Sequence, residues 1–306
     1  MKEKKMISFL VYTYNNEKEI VSFLTFLTQK AEYLFEQFEI IVINDCSTDS
    51  TVKRIKEAQN LKDYQIAILQ MSFHQGLELS MNAGLDLSIG DFVYEFDSTV
   101  IDFEENLIED VYYKILEGYD IVMASPKGGD HISSKWFYKT YNTFSNSKYN
   151  LKTDRFRLLS RRAINRAFSI SVTIPYRKAM YINSGLKIFD INYTKITHKK
   201  RNKEKTHLRN KTAIDALIIY TGISFKLSLY IALALFLCTM SIVVYTLYIY
   251  FGKEKPIEGW TTIMLLLSGG FSGVFFLSAI VIKYLSLILQ LVFKKKSYIH
   301  ENIDKI

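Results

Sequence analysis

Short apolar runs bounded by polar clusters alternate, over the first 124 residues, with stretches whose apolar positions recur at helical spacing. The pattern predicts strands at Ile7 to Tyr12, Phe38 to Ile43, Ala67 to Met71, Asp91 to Phe96 and Asp120 to Ala124. Between them it predicts helices at Glu17 to Phe38, Thr51 to Asn60, Leu77 to Ser88 and Glu104 to Glu117. Strands alternating with helices imply parallel β-α-β units, so the fold class is α/β with an open, mostly parallel sheet. Such sheets bind ligands beyond the carboxyl ends of their strands. The residues there are polar or acidic: "YNNEKE", "NDCSTDS", "SFHQG" and "DSTVID" follow the first four strands in turn. Any one of these is ordinary helix-capping chemistry. Four at one sheet edge mark a candidate site.

Beyond residue 210 the pattern changes. Leu227 to Phe251 carries no charged residue, and as a helix it would be roughly 37 Å long, enough to cross a ~30 Å hydrocarbon core. A second apolar run starts near Trp260, passes Lys283 and ends at Lys294. Only "GKEKPIEG" separates the two, so they predict a transmembrane hairpin with both ends on one side. Basic clusters at Thr197 to Lys211 and Lys294 to Lys296 flank it, and the positive-inside rule puts them, both termini and the N-terminal region in the cytoplasm. The expected division is a cytoplasmic domain at 1–210, an interfacial helix at 211–226, a two-span region at 227–293 and a basic tail at 294–306.

Composition fits that division. The chain is 49% hydrophobic yet carries a net charge of +8, and basic residues beside membrane spans meet anionic headgroups, so no nucleic acid is expected as a partner. Two cysteines, Cys46 and Cys238, exclude a disulfide framework. The apolar stretch after the basic N-terminus is too short for a signal-peptide core and reads as the first strand. Gly269, Gly270 and Gly273 would let helices of the second span approach closely, which would allow a homo-oligomer but does not fix the oligomeric state.

The segments "FLVYTYNNEKEI", "EIIVINDCSTDST", "HQGLELSMNAGLDLSIGDFVYEFD", "SSKWFYKTYN" and "RFRLLSRRAI" follow one another in an order that resembles family 2 glycosyltransferases. More narrowly, the chain resembles the branch that charges polyprenyl or dolichyl phosphate with a sugar, and its ending resembles the two-span tail of bacterial members. The resemblance implies a GT-A-like (nucleotide-diphospho-sugar transferase) domain. It implies a membrane enzyme for cell-surface glycan modification that moves a sugar from a nucleotide sugar to an isoprenoid phosphate lipid. By the same resemblance Tyr14, Asn15, Glu17, Asn44, Asp45, Asp97 and Thr99 bind the donor, with Asp45 on the base. Asp97, Asp102 and Arg157 form the catalytic centre, and Arg157, Ser160 and Arg161 bind the lipid phosphate. Asp97, with Thr99 beside it, holds a divalent cation, Mg²⁺ or Mn²⁺.

The match is incomplete where the cation should sit. Thr99 stands where the family has a second aspartate, Ile101 where a glutamine is often found, and Asn44 where the nucleotide turn has its first aspartate. Tyr12 replaces a proline, Asn16 a glutamate, Ser125-Pro126 an arginine, and Arg155 an aspartate that reappears one residue earlier as Asp154. Glu95 is expected on the strand face opposite Asp97. The alternative function is a catalytically impaired homologue that serves as a binding or scaffold partner in a glycan-assembly complex.

Overall fold

The computed structural model describes residues 2–61, 66–128, 132–145, 147–170 and 176–196, isolated positions between 217 and 288, and 300–305. Eight strands are defined: β1 (Ile7–Thr13), β2 (Phe38–Asn44), β3 (Ile66–Met71), β4 (Phe92–Phe96), β5 (Ile121–Pro126), β6 (Phe156–Ser160), β7 (Ile188–Tyr193) and β8 (His300–Lys305). The helices are α1 (Ile20–Leu34), α2 (Thr51–Leu61), α3 (Leu77–Leu87), α4 (Leu107–Leu116), α5 (Ile132–Phe144), α6 (Arg161–Ile170) and α7 (Arg177–Asn183). The eight strands form one sheet in the order β7-β5-β6-β4-β1-β2-β3-β8. β1 pairs parallel with both β2 and β4, β2 with β3, and β5 with β7. The α/β expectation holds for these strands. β1, "ISFLVYT", is buried at every position, as suits a central parallel strand covered on both faces.

Two strands run the other way, and neither was expected. β6 inserts antiparallel between β4 and β5, with Phe156 opposite Phe96 and Ser160 opposite Phe92. β8 pairs antiparallel with β3, Lys305 opposite Ala67. The segment read from sequence as a basic tail therefore includes an edge strand. Its "HENIDK" shows no apolar alternation; the pairing comes from the open backbone edge of β3, which any extended segment can satisfy. The chain divides into two units, Met1–Ala216 together with Lys294–Ile306, and Leu217–Phe293.

The second unit covers the stretch of the two expected spans, of which the structure describes only isolated positions, so the spans as such and, Leu217 apart, the expected interfacial helix at 211–226 lie outside the described residues. Among the described residues no helix is long and apolar enough to cross a membrane. The positions that are described in it include exposed apolar side chains at Tyr230, Leu237, Ile263, Val274, Val281 and Leu285.

In the first unit the two sheet faces differ in chemistry. One is an aromatic slab against α1 and α4: Tyr94 stacks on Phe9 at 5.0 Å between centroids, and Phe96 stacks on Phe156 at 5.0 Å and meets Phe23 edge-on at 5.3 Å. On the other face α3 packs so tightly that a Cβ on Gly84 would lie 2.8 Å from Ile43 Cδ1. Successive residues of β4 alternate between these faces, so Tyr94 and Phe96 take the aromatic side while Glu95 turns to the other. Phe96→Ala removes a wholly buried ring from the slab. It is expected to lower unfolding free energy by about 3–5 kcal/mol, read as a drop in the denaturant midpoint of the full chain.

Candidate active site

The loops after β1 and β2 are knitted to each other. Asn15 adopts a left-handed backbone (φ 46°), which asparagine tolerates better than most residues. Its amide N–H donates to Ser47 Oγ at 3.0 Å, and its side-chain oxygen accepts from the Thr48 N–H at 2.8 Å. The Asn16 N–H donates to Thr51 Oγ1 at 2.8 Å, the Glu17 N–H to Asp49 Oδ2 at 3.1 Å, and the Ser50 N–H to Glu17 Oε2 at 3.1 Å. Asp49 also accepts from the Thr51 N–H at 3.0 Å, capping α2. Partial burial alone would raise its pKa, but the bonds from Thr51 and Glu17 outweigh burial and hold it below the ordinary value. Asn15 and Glu17, expected to touch the donor, are thus the residues that fix the shape of this corner.

Asp45 differs from its expected role. Its carboxylate is fully buried and accepts from Tyr12 Oη at 2.8 Å and from the Gln75 and Gly76 N–H groups at 2.8 and 2.9 Å, with His74 Nδ1 2.9 Å away. It pins the "HQG" turn between β3 and α3, where Gly76 takes the positive φ of 86°. Three of these neighbours meet Oδ2 and one meets Oδ1, so the carboxylate is buried and committed to this turn. Burial, then the Asp45 charge, drives the Tyr12 phenol far above its ordinary range, so Tyr12 stays a donor. Tyr14 stacks on His74 at 4.1 Å, and the His74 side chain is one-third exposed, so this ring pair is accessible from outside the corner. Asn44 is buried and donates to Gln70 Oε1 at 2.7 Å, a bond that an ionised aspartate could not make.

The densest chemistry surrounds Asp97. Arg157 donates from Nη2 to Asp97 Oδ2 at 2.5 Å and from Nη1 to Glu95 Oε2 at 2.9 Å. Arg177 mirrors it, from Nη2 to Asp97 Oδ1 at 2.8 Å and from Nη1 to Glu95 Oε1 at 2.9 Å. Two guanidinium forks and two carboxylates therefore close a ring in which every carboxylate oxygen accepts from an arginine. The remaining nitrogens reach outward: Arg157 Nε to Asp154 Oδ2 at 2.7 Å, Arg177 Nε to Glu78 Oε2 at 3.0 Å. Lys178 pairs with Asp154, and Tyr181 Oη donates to Glu95 Oε1 at 3.2 Å. Both arginine side chains are 0% exposed. Burial alone would raise the Asp97 pKa, but Arg157 and Arg177 outweigh it and hold the carboxyl well below the usual carboxylate range. For Glu95, burial wins over the same two arginines and its pKa is raised.

Glu95 and Asp97 share a face, contrary to expectation. They lie two residues apart, and extended backbone returns a side chain to the same side every second residue. Arg157 does meet Asp97, but it is closed to solvent and all three of its nitrogens are on carboxylates, so as placed it offers nothing to a lipid phosphate. Ser160 and Arg161 are carried away from Asp97 because β6 runs antiparallel to β4. Ser160 lies three residues beyond Arg157, about 10 Å along the strand, at the end where β4 begins. There Arg161 donates from Nε to the Gly90 carbonyl at 3.0 Å. Asp102 joins a separate pair: Arg155 grips both its oxygens, with Nε at 2.8 Å, and Tyr193 Oη donates to it at 2.9 Å. The residue that replaces the family's aspartate, Arg155, is thus the counter-charge of Asp102.

These residues do not fit a divalent cation. Hard cations need carboxylate oxygens with lone pairs to give. Those of Asp97 and Asp102 are engaged by guanidinium groups, the Thr99 hydroxyl accepts from the Asn16 amide, and Ile101 supplies only alkyl carbon. Among the described residues no group of three or more His, Cys, Asp or Glu side chains could hold a metal ion. Arg177, Lys178 and Glu78, which the motif reading missed, complete the cluster around Asp97.

Comparison with known proteins agrees with this fold and these loops. The sequence profile of glycosyl transferase family 2 matches residues 8–185. The chain belongs to glycosyl transferase family 2. An uncharacterized glycosyltransferase of Synechocystis sp. is 28% identical over 181 residues, covering 57% of this chain and 56% of that one. The prophage bactoprenol glucosyl transferase homolog of Escherichia coli (strain K12) is 32% identical over 161 residues, covering 51% and 52%. The chain thus spans about half the length of these curated relatives; with an uncharacterized glycosyltransferase of Bacillus subtilis, 24% identical, the match covers 86% of this chain and 84% of that one. Among solved structures, glucosyl-3-phosphoglycerate synthase from Mycobacterium tuberculosis, in complex with Mn²⁺ and uridine-diphosphate-glucose, superposes with a TM-score of 0.52 at 14% identity. It covers 71% of this chain and 79% of that one, a likeness of fold. The family sheet is therefore present with an altered acidic corner.

The ring makes a stability prediction. Arg177→Gln leaves Glu95, Asp97 and Glu78 short of a cation in a buried site and is expected to cost about 3–5 kcal/mol. Arg177→Lys, which keeps the charge but lacks the fork, is expected to recover little of it. Urea denaturation of the full chain measures both.

Proposed function

We propose that this family 2 glycosyltransferase moves a sugar from a nucleotide-sugar donor to a polyprenyl phosphate at the cytoplasmic face of a membrane, with residues 227–293 as its two-span anchor. The observation that carries the reading is the family match over residues 8–185, the stretch that contains the knitted loops beyond β1, β2, β3 and β4. The acceptor class is supported by relatives named bactoprenol glucosyl transferase, and by an undecaprenyl-phosphate 4-deoxy-4-formamido-L-arabinose transferase of Proteus mirabilis that is 25% identical over 149 residues. The anchor is supported by the uncharged run Leu227 to Phe251 and by exposed apolar helical positions such as Leu237 and Val274.

The chemistry asks little of a general base. A phosphate oxygen of the acceptor is already ionised at neutral pH. It forms a bond to the anomeric carbon as the bond from that carbon to the donor diphosphate breaks, and the nucleoside diphosphate leaves with the electron pair. Rate then depends on holding the two reactants in line. Asn15, Glu17 and Asp49 keep the β1 and β2 loops in a fixed shape, Asp45 fixes the adjoining turn, and the Tyr14–His74 pair offers an aromatic face to the nucleotide.

One observation favours a second reading. Asp45, Asp97 and Asp102 are buried and bonded to neighbours, which favours a catalytically impaired homologue that serves as a binding or scaffold partner in a glycan-assembly complex. Membranes containing the full chain, supplied with polyprenyl phosphate and a panel of labelled nucleotide sugars, separate the two. The first reading predicts a lipid-linked labelled sugar with at least one donor. Absence of transfer and of nucleotide binding across the panel, with and without Mn²⁺ or Mg²⁺, would sink the first.

A further inference from the structure

A divalent cation at the acidic turn after β4 would need Asp97 as its anchor, yet the two oxygens of that carboxylate point at Arg157 and Arg177 rather than at open space. The two guanidinium groups bring two positive charges, the same charge as the ion they exclude. We propose that the Asp97 corner is a cation-independent form of the site, in which Arg157 and Arg177 permanently occupy the ligand positions a divalent metal would take. The inference borrows from the glycosyltransferase reading only the naming of this corner as the donor corner; the claim about metal stands on Asp97 and its neighbours.

Three features carry it. The first is closure: Arg157 and Arg177 each bridge Glu95 and Asp97, so freeing one Asp97 oxygen also opens a bond in a ring whose arginine members are 0% exposed. Leaving a buried ion without its partner is costly, and a metal would have to supply that free energy before gaining any. The second is charge. Arg157, Arg177 and Lys178 already pair with Glu78, Glu95, Asp97 and Asp154, so a cation at Asp97 would have to compete with two guanidinium groups for the same two oxygens. The third is the missing remainder of the shell. Thr99 is 4% exposed, and its hydroxyl oxygen already accepts from Asn16. Ile101 packs against the apolar core, and Asp102 faces Arg155 and Tyr193.

The outer partners explain why the arginines stay. Asp154 and Glu78 take the Nε of Arg157 and of Arg177, so each guanidinium is oriented from behind as well as in front. The shift of an aspartate from position 155 to 154 belongs to the same change. It places a carboxylate behind Arg157, while Arg155 becomes the partner of Asp102. The aspartate at 154 and the Arg155–Asp102 pair thus belong to one set of ion pairs, while Thr99 and Ile101 take two ligands away from the turn.

The test is direct binding of Mn²⁺ by the detergent-solubilised full chain, read from the electron paramagnetic resonance signal of free Mn²⁺ in the presence of uridine diphosphate. The expected result is a free-ion signal equal to that of Mn²⁺ and uridine diphosphate without protein, and, where sugar transfer is observed, a rate unchanged by EDTA. Uptake of one Mn²⁺ per chain that Asp97→Asn abolishes would overturn the proposal. Should Asp97→Asn fail to fold, Thr99→Val leaves the ion ring intact, and uptake by the native chain that this variant weakens would overturn it equally. Failure of the glycosyltransferase reading appears instead as absent transfer with every donor and leaves the Mn²⁺ result standing.

Discussion

Two arginines and two carboxylates, closed into a ring and shut off from water, set the shape of the acidic edge of this protein. The ring ties Glu95 in β4 and Asp97 just beyond it to Arg157 in β6 and Arg177 at the start of α7, with Glu78 of α3 and Asp154 bound from outside. Buried charges are tolerated only when paired and fully hydrogen-bonded. That requirement fixes the antiparallel insertion of β6, whose register sets Arg157 opposite Glu95, and it fixes where α7 begins. The aromatic slab on the opposite face of the sheet supplies apolar burial; the ring joins β4, β6, α3 and α7 through paired charges.

How much of this was legible in the sequence follows from the range of the interactions involved. β1 to β5 and the helices between them came from local periodicity, which adjacent residues carry. β6, β7 and β8 did not. β6 is five residues long and gains its place from pairing on both sides, and β8 is recruited by an open edge rather than by its own pattern. The same divide runs through the site. The motif order located the loops at Asn15, Glu17, Asn44, Asp45 and Asp97, because motifs are local. Which groups those residues meet was hidden, since Arg177 is 80 positions from Asp97 and Gly76 is 31 from Asp45. The opposite-face placement of Glu95 was an error of counting, as a period of two puts residues 95 and 97 together. Ser160 and Arg161 were grouped with Arg157 because they are neighbours in the chain; an antiparallel strand separates neighbours by carrying them toward the far end of the sheet.

The substitutions that looked like erosion have partners. Asn44 donates to Gln70, Tyr12 donates to Asp45, and Arg155 grips Asp102, so these three departures from the family pattern are each matched by a contact. A site decaying without constraint would accumulate orphaned polar groups. Here the charged side chains of the corner are paired with one another, and the buried oxygens without a hydrogen-bond partner among the described residues include Thr13 Oγ1, Ser80 Oγ and Asn82 Oδ1, none of them a member of the ion ring.

The central claim is that Asp97 and Arg177 act as one buried unit. A double-mutant cycle with Asp97→Asn and Arg177→Gln in the full chain, followed by equilibrium unfolding, tests it most directly. The account predicts strong coupling, the double variant being more stable than the sum of the single losses implies by at least about 1 kcal/mol. Additive losses would contradict it, because they would mean that Asp97 and Arg177 do not sense each other and that the ring does not govern the corner.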